Sequence, residues 1–220
     1  MIFGSICYLN LLPFQVYLKK RLSSSQQKQI INWHRAVPSR INQKLKSSKV
    51  DTAFISSVYS QAFDCTDLGI VADGAVYSVF VVGKESGDLR GDRASATSNA
   101  LARILGLGGE VMIGDRALKY FLDDGKGVDL SREWRAKTGL PFVFARLCYN
   151  KKGKNIAKII RGFRAKSWKI PQYILKKEAR ARGITPDEIK WYLGFIGYEI
   201  GYREKRALKL FHKKIKRNKI

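Results

Sequence analysis

Residues 110–149 read EVMIGDRALKYFLDDGKGVDLSREWRAKTGLPFVFARLCY, and this stretch decides the fold class. The apolar run EVMIG precedes a helix-like segment, DRALKYFL, and a second helix-like segment, LSREWRAK, precedes the apolar run PFVFARLCY. Strand-like runs that alternate with helix-like segments predict an α/β protein. Gly139 and Pro141 of TGLPF are expected to fix a turn into the last strand, and Phe142 and Phe144 to pack or line a pocket.

The same alternation runs through the first 109 residues, from IFGSICYL near the N-terminus to VYSVFVV and SNALARIL. It predicts mixed, mostly parallel sheets with a ligand site beyond the carboxyl ends of the strands. With 220 residues, of which 45% are hydrophobic, the chain can bury a core and form one large or two small domains.

The three cysteines, Cys7, Cys65 and Cys148, lie far apart in sequence and form no CxxC pair. This spacing predicts neither a disulfide framework nor a zinc ribbon, and favours a reducing cytoplasm. The apolar N-terminus lacks a basic segment and contains Asn10 and Pro13, so we interpret it as mature structure rather than a signal peptide. No apolar run is long enough to predict a membrane span.

The formal net charge of +24 predicts an anionic partner, and the charge is concentrated in residues 151–220. That segment has 22 Lys and Arg against five acids, whereas residues 1–150 have 20 against 13. Its pattern predicts three helices: residues 171–183, a helix that begins with a capping box at 185–188, and a final helix with apolar Leu208, Phe211 and Ile215.

Small hydroxyl and amide residues follow the predicted strands of the first 150 residues. Such residues at a helix start are ordinary N-caps in most proteins, but their N–H groups and hydroxyls also bind carboxylates or phosphates. Because several of these loops should meet at one sheet edge, we expect a small anionic ligand there. The loops are YLN at 8–10, SS at 56–57, DG at 73–74, SATSN at 95–99 and GD at 114–115.

Six strings within residues 2–149 then carry a resemblance: SICYLNLLPF, VDTAFISSVYS, LGIVADGAVYSV, SATSNALARIL, MIGDRALKYF and EWRAKTGLPFVFARL. Together, and in this order, they resemble the chorismate dehydratase family of the futalosine route to menaquinone. The resemblance implies a two-lobed fold of the type II periplasmic-binding-protein class, with a C-terminal helical segment. It implies crossovers at 76–82 and 142–147, a first lobe of 1–75 plus 147–220, and a second lobe of 76–146.

The reaction that the resemblance implies converts chorismate into 3-[(1-carboxyvinyl)oxy]benzoate and water. Formation of the aromatic ring drives this elimination, so positioning and exclusion of water can supply most of the catalysis. The histidines, His34 and His212, lie outside the matching strings, which gives a catalytic triad little support. We therefore expect a substrate-assisted elimination in which the enolpyruvyl carboxylate takes the proton, with no metal or organic cofactor.

The site residues follow from the matching positions. Asn10 and Ser78 are the predicted catalytic residues: the resemblance implies that the Asn10 amide orients the ring hydroxyl or a carboxylate and that Ser78 contacts the substrate. The remaining predicted contacts with substrate are Ser56, Ser57, Thr97, Ser98, Asp115 and Arg146. Asp115 is interpreted first as an N-cap and alternatively as a general acid, and Arg146, which replaces an apolar residue of the family, could pair with a carboxylate.

Three other interpretations remain open. The related dihydroxynaphthoate synthase of the same pathway is the nearest alternative enzyme, and a non-catalytic receptor for a small anion would share the implied fold. The charge and the run KKIKRNK at 213–219 would also suit a nucleic-acid-binding protein, although a solvated lysine face is the commoner origin of such a run. The favoured partner is a small anionic substrate in the cytoplasm, with no membrane and no nucleic acid.

Overall fold

A computed structural model describes residues 1–22, 24–25, 34–83, 88–163 and 169–218. The strands are β1 Phe3–Ile6, β2 Arg35–Ala36, β3 Thr52–Ser56, β4 Asp64–Ala72, β5 Val79–Val82, β6 Leu89–Arg90, β7 Gly109–Ile113, β8 Val128–Asp129, β9 Phe142–Tyr149 and β10 Gly197–Glu199. The helices are α1 Leu12–Arg21, α2 Pro38–Lys46, α3 Ala96–Leu105, α4 Gly114–Leu122, α5 Leu130–Thr138, α6 Ile156–Ile160, α7 Gln172–Arg180, α8 Pro186–Leu193 and α9 Tyr202–Arg217.

The described strands form two mixed sheets, as the sequence predicts. The first sheet has the order β10-β4-β9-β3-β1-β2, and the second has the order β6-β7-β5-β8. The expectation of mostly parallel pairing is wrong, because five of the eight described strand pairs are antiparallel. The physical reason is that β9 and β5 each lie between two strands that run in the opposite direction.

The chain passes from the first sheet to the second between β4 and β5, and it is back in the first sheet from β9 onward. The helices α3, α4 and α5 belong to the intervening segment that holds the second sheet. The lobe limits at residues 75 and 147 stay a prediction.

A continuous apolar core contains residues from both sheets. Trp134 of α5 is fully buried and packs edge-on against Phe142 of β9 and Phe211 of α9. Its indole nitrogen donates to the Pro141 carbonyl oxygen at 3.1 Å, while Gly139 ends α5 with a φ of +66°. The TGLPF segment therefore joins α5, which follows the second sheet, to β9 in the interior of the first sheet.

The C-terminal segment differs in one element from the sequence prediction. Thr185 forms the predicted capping box with Glu188 at the start of α8. However, the segment is not entirely helical, because β10 pairs antiparallel with β4 at the edge of the first sheet. Only three residues long, β10 is too short for a period-2 pattern to stand out in the sequence.

Two of the three cysteines form a disulfide that their spacing in sequence did not predict. Cys65 of β4 and Cys148 of β9 are directly opposite in the antiparallel ladder and are joined by a disulfide. Their separation of 83 residues in sequence conceals this proximity, which only strand pairing creates. Cys7 is free and half-buried, and burial raises its pKa, which disfavours a reactive thiolate. Within the described ranges, no helix is both long and apolar enough to cross a membrane.

Candidate active site

A narrow cavity of about 50 Å³ lies between the strand ends of the two sheets. Its polar lining includes Tyr8, Asn10, Ser56, Ser78, Ser95 and Ser98. Apolar residues such as Ile70, Val76 and Phe144 form the rest of the wall. Its lining of a few polar groups in an otherwise apolar wall is typical of a small-molecule site, in which the polar groups fix the orientation of the ligand, although its volume is smaller than such sites usually have.

Asn10 lies in the short 3₁₀ helix Leu9–Leu11, which follows β1. Its side-chain oxygen Oδ1 is buried and has no hydrogen-bond partner among the described residues. Its backbone carbonyl accepts a hydrogen bond from the hydroxyl of Tyr198, in β10. A buried amide oxygen without a partner costs free energy, and a ligand in the cavity would relieve that cost.

Ser78 stands just before β5 and is 2% exposed. Its hydroxyl Oγ lies 3.0 Å from the hydroxyl of Tyr192, and its carbonyl accepts from the N–H of Gly114 at 2.8 Å. Asp129 accepts from the backbone N–H groups of Val76 at 2.9 Å and Tyr77 at 2.8 Å. These contacts fix the backbone that carries Ser78 at the edge of the cavity.

The two adjacent serines at the end of β3 have different surroundings. Ser56 lines the cavity, and its Oγ accepts from the side-chain amide of Asn42 at 3.0 Å. Ser57 is fully buried, and its Oγ donates to the Val143 carbonyl at 2.7 Å, away from the lining of the cavity. The structure therefore brings Ser56 to the site and places Ser57 behind it.

The N-terminus of α3 also faces the cavity. Ser95 is the N-cap: its Oγ accepts from the N–H of Ser98 at 3.1 Å and donates to the Ser98 hydroxyl at 2.9 Å. Ser95 and Ser98 both line the cavity. Thr97 is buried and lies outside the lining, with its hydroxyl oxygen accepting from the N–H of Val58 at 3.3 Å. The helix start thus offers hydroxyls and N–H groups that suit an anion.

Asp115 is not an N-cap, and this interpretation of the sequence is wrong. The N-cap of α4 is Ile113, and Asp115 is the second residue of the helix. Gly114, the first residue of α4, has a φ of +67°, and the Asp115 carboxylate after it contacts the loop after β1 and the C-terminal segment. There, one oxygen accepts from the N–H of Leu9 at 2.9 Å and the other pairs with Arg182 Nε at 2.5 Å. Burial raises the pKa of Asp115, and the Arg182 guanidinium opposes this shift.

Arg182 follows α7 and contacts several elements around the site. Besides Asp115, it pairs with Glu178 at 2.5 Å and donates to the Cys7 carbonyl at 3.1 Å. Its side chain is only 13% exposed. Arg182 therefore connects the C-terminal segment with the loop after β1 and with α4.

Arg146 lies outside the residues that line the cavity. Its Nε is buried without a hydrogen-bond partner among the described residues, and burial lowers its pKa. His212 of α9 is also buried, with its Nε2 2.8 Å from the Ser57 carbonyl oxygen. Burial lowers the pKa of His212, which favours the neutral ring of a structural histidine.

The sequence did not point to three residues behind the site: Arg182, Tyr192 and Tyr198. All three lie in the basic C-terminal segment, where no local signal marks them. Ser95 was predicted only as part of the loop at 95–99, and its position before the apolar helix is the signal that singles it out as the N-cap. Across the described part of the chain, no three His, Cys, Asp or Glu side chains come together as a set of metal ligands.

Comparisons with known proteins identify the family of this chain. A family model described as menaquinone biosynthesis matches residues 1–109 and 106–217. A curated chorismate dehydratase from Campylobacter jejuni is 42% identical over 220 residues, covering 98% of this chain and 98% of the relative.

Two solved structures show the fold. A protein from Archaeoglobus fulgidus superposes with a TM-score of 0.69 at 12% identity, covering 99% of this chain and 97% of that one. A Candida albicans protein described as having the generic periplasmic-binding-protein fold gives a TM-score of 0.53 at 12% identity, covering 98% and 94%. The predicted fold class is confirmed. The family match extends over nearly the whole chain, and the chain belongs to the menaquinone biosynthesis family, together with the chorismate dehydratase that it resembles.

Proposed function

We propose that this chain is a chorismate dehydratase, which converts chorismate into 3-[(1-carboxyvinyl)oxy]benzoate and water in the biosynthesis of menaquinone. The family and the 42% identical relative support the reaction. The structural observation that carries the proposal is the cavity that Asn10 and Ser78 both line, with the Asn10 amide oxygen buried and without a partner in the described structure.

The proposed elimination uses the substrate as its own base. The enolpyruvyl carboxylate takes the proton from the ring carbon that bears the ether oxygen, and the electrons of that C–H bond form the last ring double bond. The C–O bond to the ring hydroxyl breaks, the departing oxygen takes up the proton from the carboxylic acid formed in the first step, and water leaves as the enolpyruvyl carboxylate is restored. The protein's tasks are to orient the carboxylate, to stabilise the charge on the departing oxygen and to exclude water.

The residues of the cavity suit these tasks. Asn10 Oδ1 would accept a hydrogen bond from the ring hydroxyl, and the Ser78 hydroxyl would donate to the same region of the substrate. Ser56, Ser98 and the N-terminus of α3 would hold a carboxylate. Ser57 and Thr97 would support these loops from behind, through their bonds to Val143 and Val58.

Asp115 and Arg146 receive other roles in this proposal. Asp115 would hold the backbone of the Asn10 loop through the N–H of Leu9 rather than protonate the leaving group, because both of its oxygens are already occupied. Arg146 would make no contact with substrate, since it does not line the cavity. The expected cytoplasmic location remains a prediction.

Incubation of the purified chain with chorismate, followed by NMR of the products, tests the proposal directly. We expect the vinyl protons of the enolpyruvyl group to persist while the ring protons move to the aromatic region. Unchanged chorismate would overturn the proposal in favour of a non-catalytic anion-binding protein. Turnover of a different menaquinone precursor alone would favour a related enzyme such as dihydroxynaphthoate synthase.

A further inference from the structure

The hydroxyl of Tyr192 lies behind the cavity, in contact with a residue that lines it. Tyr192 belongs to α8, in the C-terminal segment, and is 1% exposed. Its hydroxyl is 3.0 Å from Ser78 Oγ. Among the residues that the structure describes, each of these two hydroxyls is the other's hydrogen-bond partner. The Ser78 hydroxyl thus has Tyr192 on one side and the cavity on the other.

The chemistry of the two groups decides the direction of this hydrogen bond. A phenol is a much stronger acid than an alkyl alcohol and therefore the better donor. Burial raises the pKa of Tyr192, so its hydroxyl keeps its proton at neutral pH. The geometry allows either hydroxyl to donate, and this acidity favours Tyr192 as the donor and Ser78 Oγ as the acceptor. In that arrangement the Ser78 proton is available to a ligand in the cavity that Ser78 lines.

The position of Tyr192 is fixed by its helix. The capping box of Thr185 and Glu188 holds the first turn of α8, and Ile189 is fully buried on the same face. A phenol with one donor and few rotamers, held in a packed core, orients a neighbouring hydroxyl at little entropic cost.

We propose that Tyr192 is a positioning residue for the dehydration: it donates to Ser78 Oγ and thereby directs the Ser78 proton to the oxygen that leaves the substrate as water. The proposal rests on the function proposed above. The two hydrogen bonds lie in series, so the bond from Tyr192 makes the Ser78 hydroxyl a stronger donor. Negative charge develops on the leaving oxygen in the transition state. A hydrogen-bond donor aimed at that oxygen therefore lowers the activation free energy of the chemical step, and so raises kcat, more than it strengthens the binding of substrate.

A double-mutant cycle of Tyr192→Phe and Ser78→Ala tests the proposal, with chorismate turnover and the melting temperature as readouts. We expect Tyr192→Phe to lower kcat roughly tenfold and to change KM less than about twofold, because it weakens one hydrogen bond in the transition state. Ser78→Ala should lower kcat about 100-fold. Once Ser78 is alanine, adding Tyr192→Phe should have no further effect, since the tyrosine acts through the serine.

A matched control separates this role from general support of the fold. Tyr17 is also fully buried, and its hydroxyl donates to the Ile159 carbonyl in the core of the first lobe, outside the cavity lining. Tyr17→Phe removes the same atom and should leave kcat unchanged. Should Tyr192→Phe fold poorly, Ser78→Cys provides a second test, because a thiol accepts a hydrogen bond weakly and should lose most of the kcat.

The outcomes distinguish the two proposals. A wild-type chain without chorismate turnover would overturn the proposed function and this inference together. An active wild type whose Tyr192→Phe variant keeps its kcat would overturn the inference alone. The inference would also be overturned if the double variant lost kcat by the product of the two single losses, or if the Ser78→Cys variant kept the wild-type kcat.

Discussion

Residues 1–150 and residues 151–220 contribute to the site in different ways. Every residue that lines the cavity belongs to the first region, which holds 20 basic and 13 acidic residues. The second region holds 22 basic and five acidic residues but contacts the site mainly through Arg182, Tyr192 and Tyr198. A strongly basic segment thus acts on the site through a few buried polar side chains rather than through its exposed charge.

Burial is the physical difference between these three residues and the lysines around them. Arg182 has a side chain only 13% exposed, and both tyrosines are buried. By contrast, Lys213, Lys216 and other cations of α9 lie on an exposed face. Hydrogen bonds inside a core are not screened by salt, whereas the field of an exposed charge falls off within about 8 Å at physiological ionic strength.

The largest effect is expected in the cavity itself. Asn10→Ala should lower kcat/KM about 100-fold or more, because it removes the group that orients the ring hydroxyl for departure. The melting temperature should hardly change, since Asn10 Oδ1 has no partner to lose in the described structure. Turnover of chorismate and thermal unfolding measure the two quantities.

A matched control is Asn150→Ala. Asn150 caps a 3₁₀ helix away from the cavity and accepts from the N–H groups of Lys152 and Gly153. Removal of this side-chain cap should lower the free energy of unfolding while leaving kcat/KM unchanged. Wild-type turnover by Asn10→Ala would contradict the claim that the cavity of the first region holds the reacting part of the substrate.

The next largest effect is expected for Arg182→Ala, which removes the cation from Asp115. We expect a loss of about 2 kcal/mol in the free energy of unfolding, because a largely buried carboxylate is left unpaired. The release of Asp115 should also disturb the Leu9 N–H contact and lower kcat/KM about tenfold. As a control, Arg203→Ala breaks an exposed pair with Asp73 and should cost less than about 0.5 kcal/mol.

The loss of folding stability caused by Arg182→Ala should depend on pH. Burial raises the pKa of Asp115, and removal of the guanidinium should raise it further. A raised pKa in the folded state means that the protonated carboxyl is favoured, so the stability of the variant should fall as pH rises toward that pKa. Urea unfolding should therefore show a larger difference from wild type at pH 8 than at pH 5. An equal difference at both values would mean that Asp115 is not the group left unpaired.

A smaller effect is expected when α9 loses its exposed charges. Replacing Lys213, Lys214, Lys216 and Arg217 by glutamine should lower kcat/KM about twofold at low salt and hardly at all at high salt, with kcat unchanged. The reason is that these cations attract a dianionic substrate from a distance; Lys219, which belongs to the same basic run, lies outside the described residues. A large, salt-independent loss of kcat would place the cations in the catalytic machinery. Tight, salt-sensitive binding of RNA that the same changes abolish would favour the nucleic-acid interpretation.

No effect is expected from a chelator. The elimination is redox-neutral, and the residues assigned to it are amides and hydroxyls, which suit organic substrates better than a divalent metal. Treatment with EDTA should leave kcat and KM unchanged. Activity that disappears with EDTA and returns with a divalent ion would contradict this prediction.

Local patterns predicted much of the fold. The capping box of Thr185, the turn at Gly139 and the helix after Ser95 each depend on neighbours within a few residues, so the sequence shows them directly. The parallel character of the sheets was overestimated, because the directions of β5 and β9 depend on pairing between distant segments. The same reason conceals the pairing of Cys65 with Cys148.

For the site, the resemblance supplied Asn10, Ser56, Ser78 and Ser98, which the structure brings to one cavity. It did not separate residues that line the cavity from those behind it. Ser57 follows Ser56 directly, yet the two side chains have different partners, since successive residues at a strand end point in different directions. That distinction needs the three-dimensional course of the chain.

The sequence by itself determined the α/β class, the family and the loops that carry the site, because periodicity, capping and motif strings are properties of adjacent residues. Only the tertiary structure decided that Asp115 anchors Leu9 and that Tyr192 lies behind Ser78, 114 residues away along the chain. Such contacts form because the C-terminal segment packs against α4, the residue before β5 and the loop after β1 and must bury its polar groups with partners. A hydroxyl or guanidinium acquires its role from what it is buried against, and burial is a property of the folded chain as a whole.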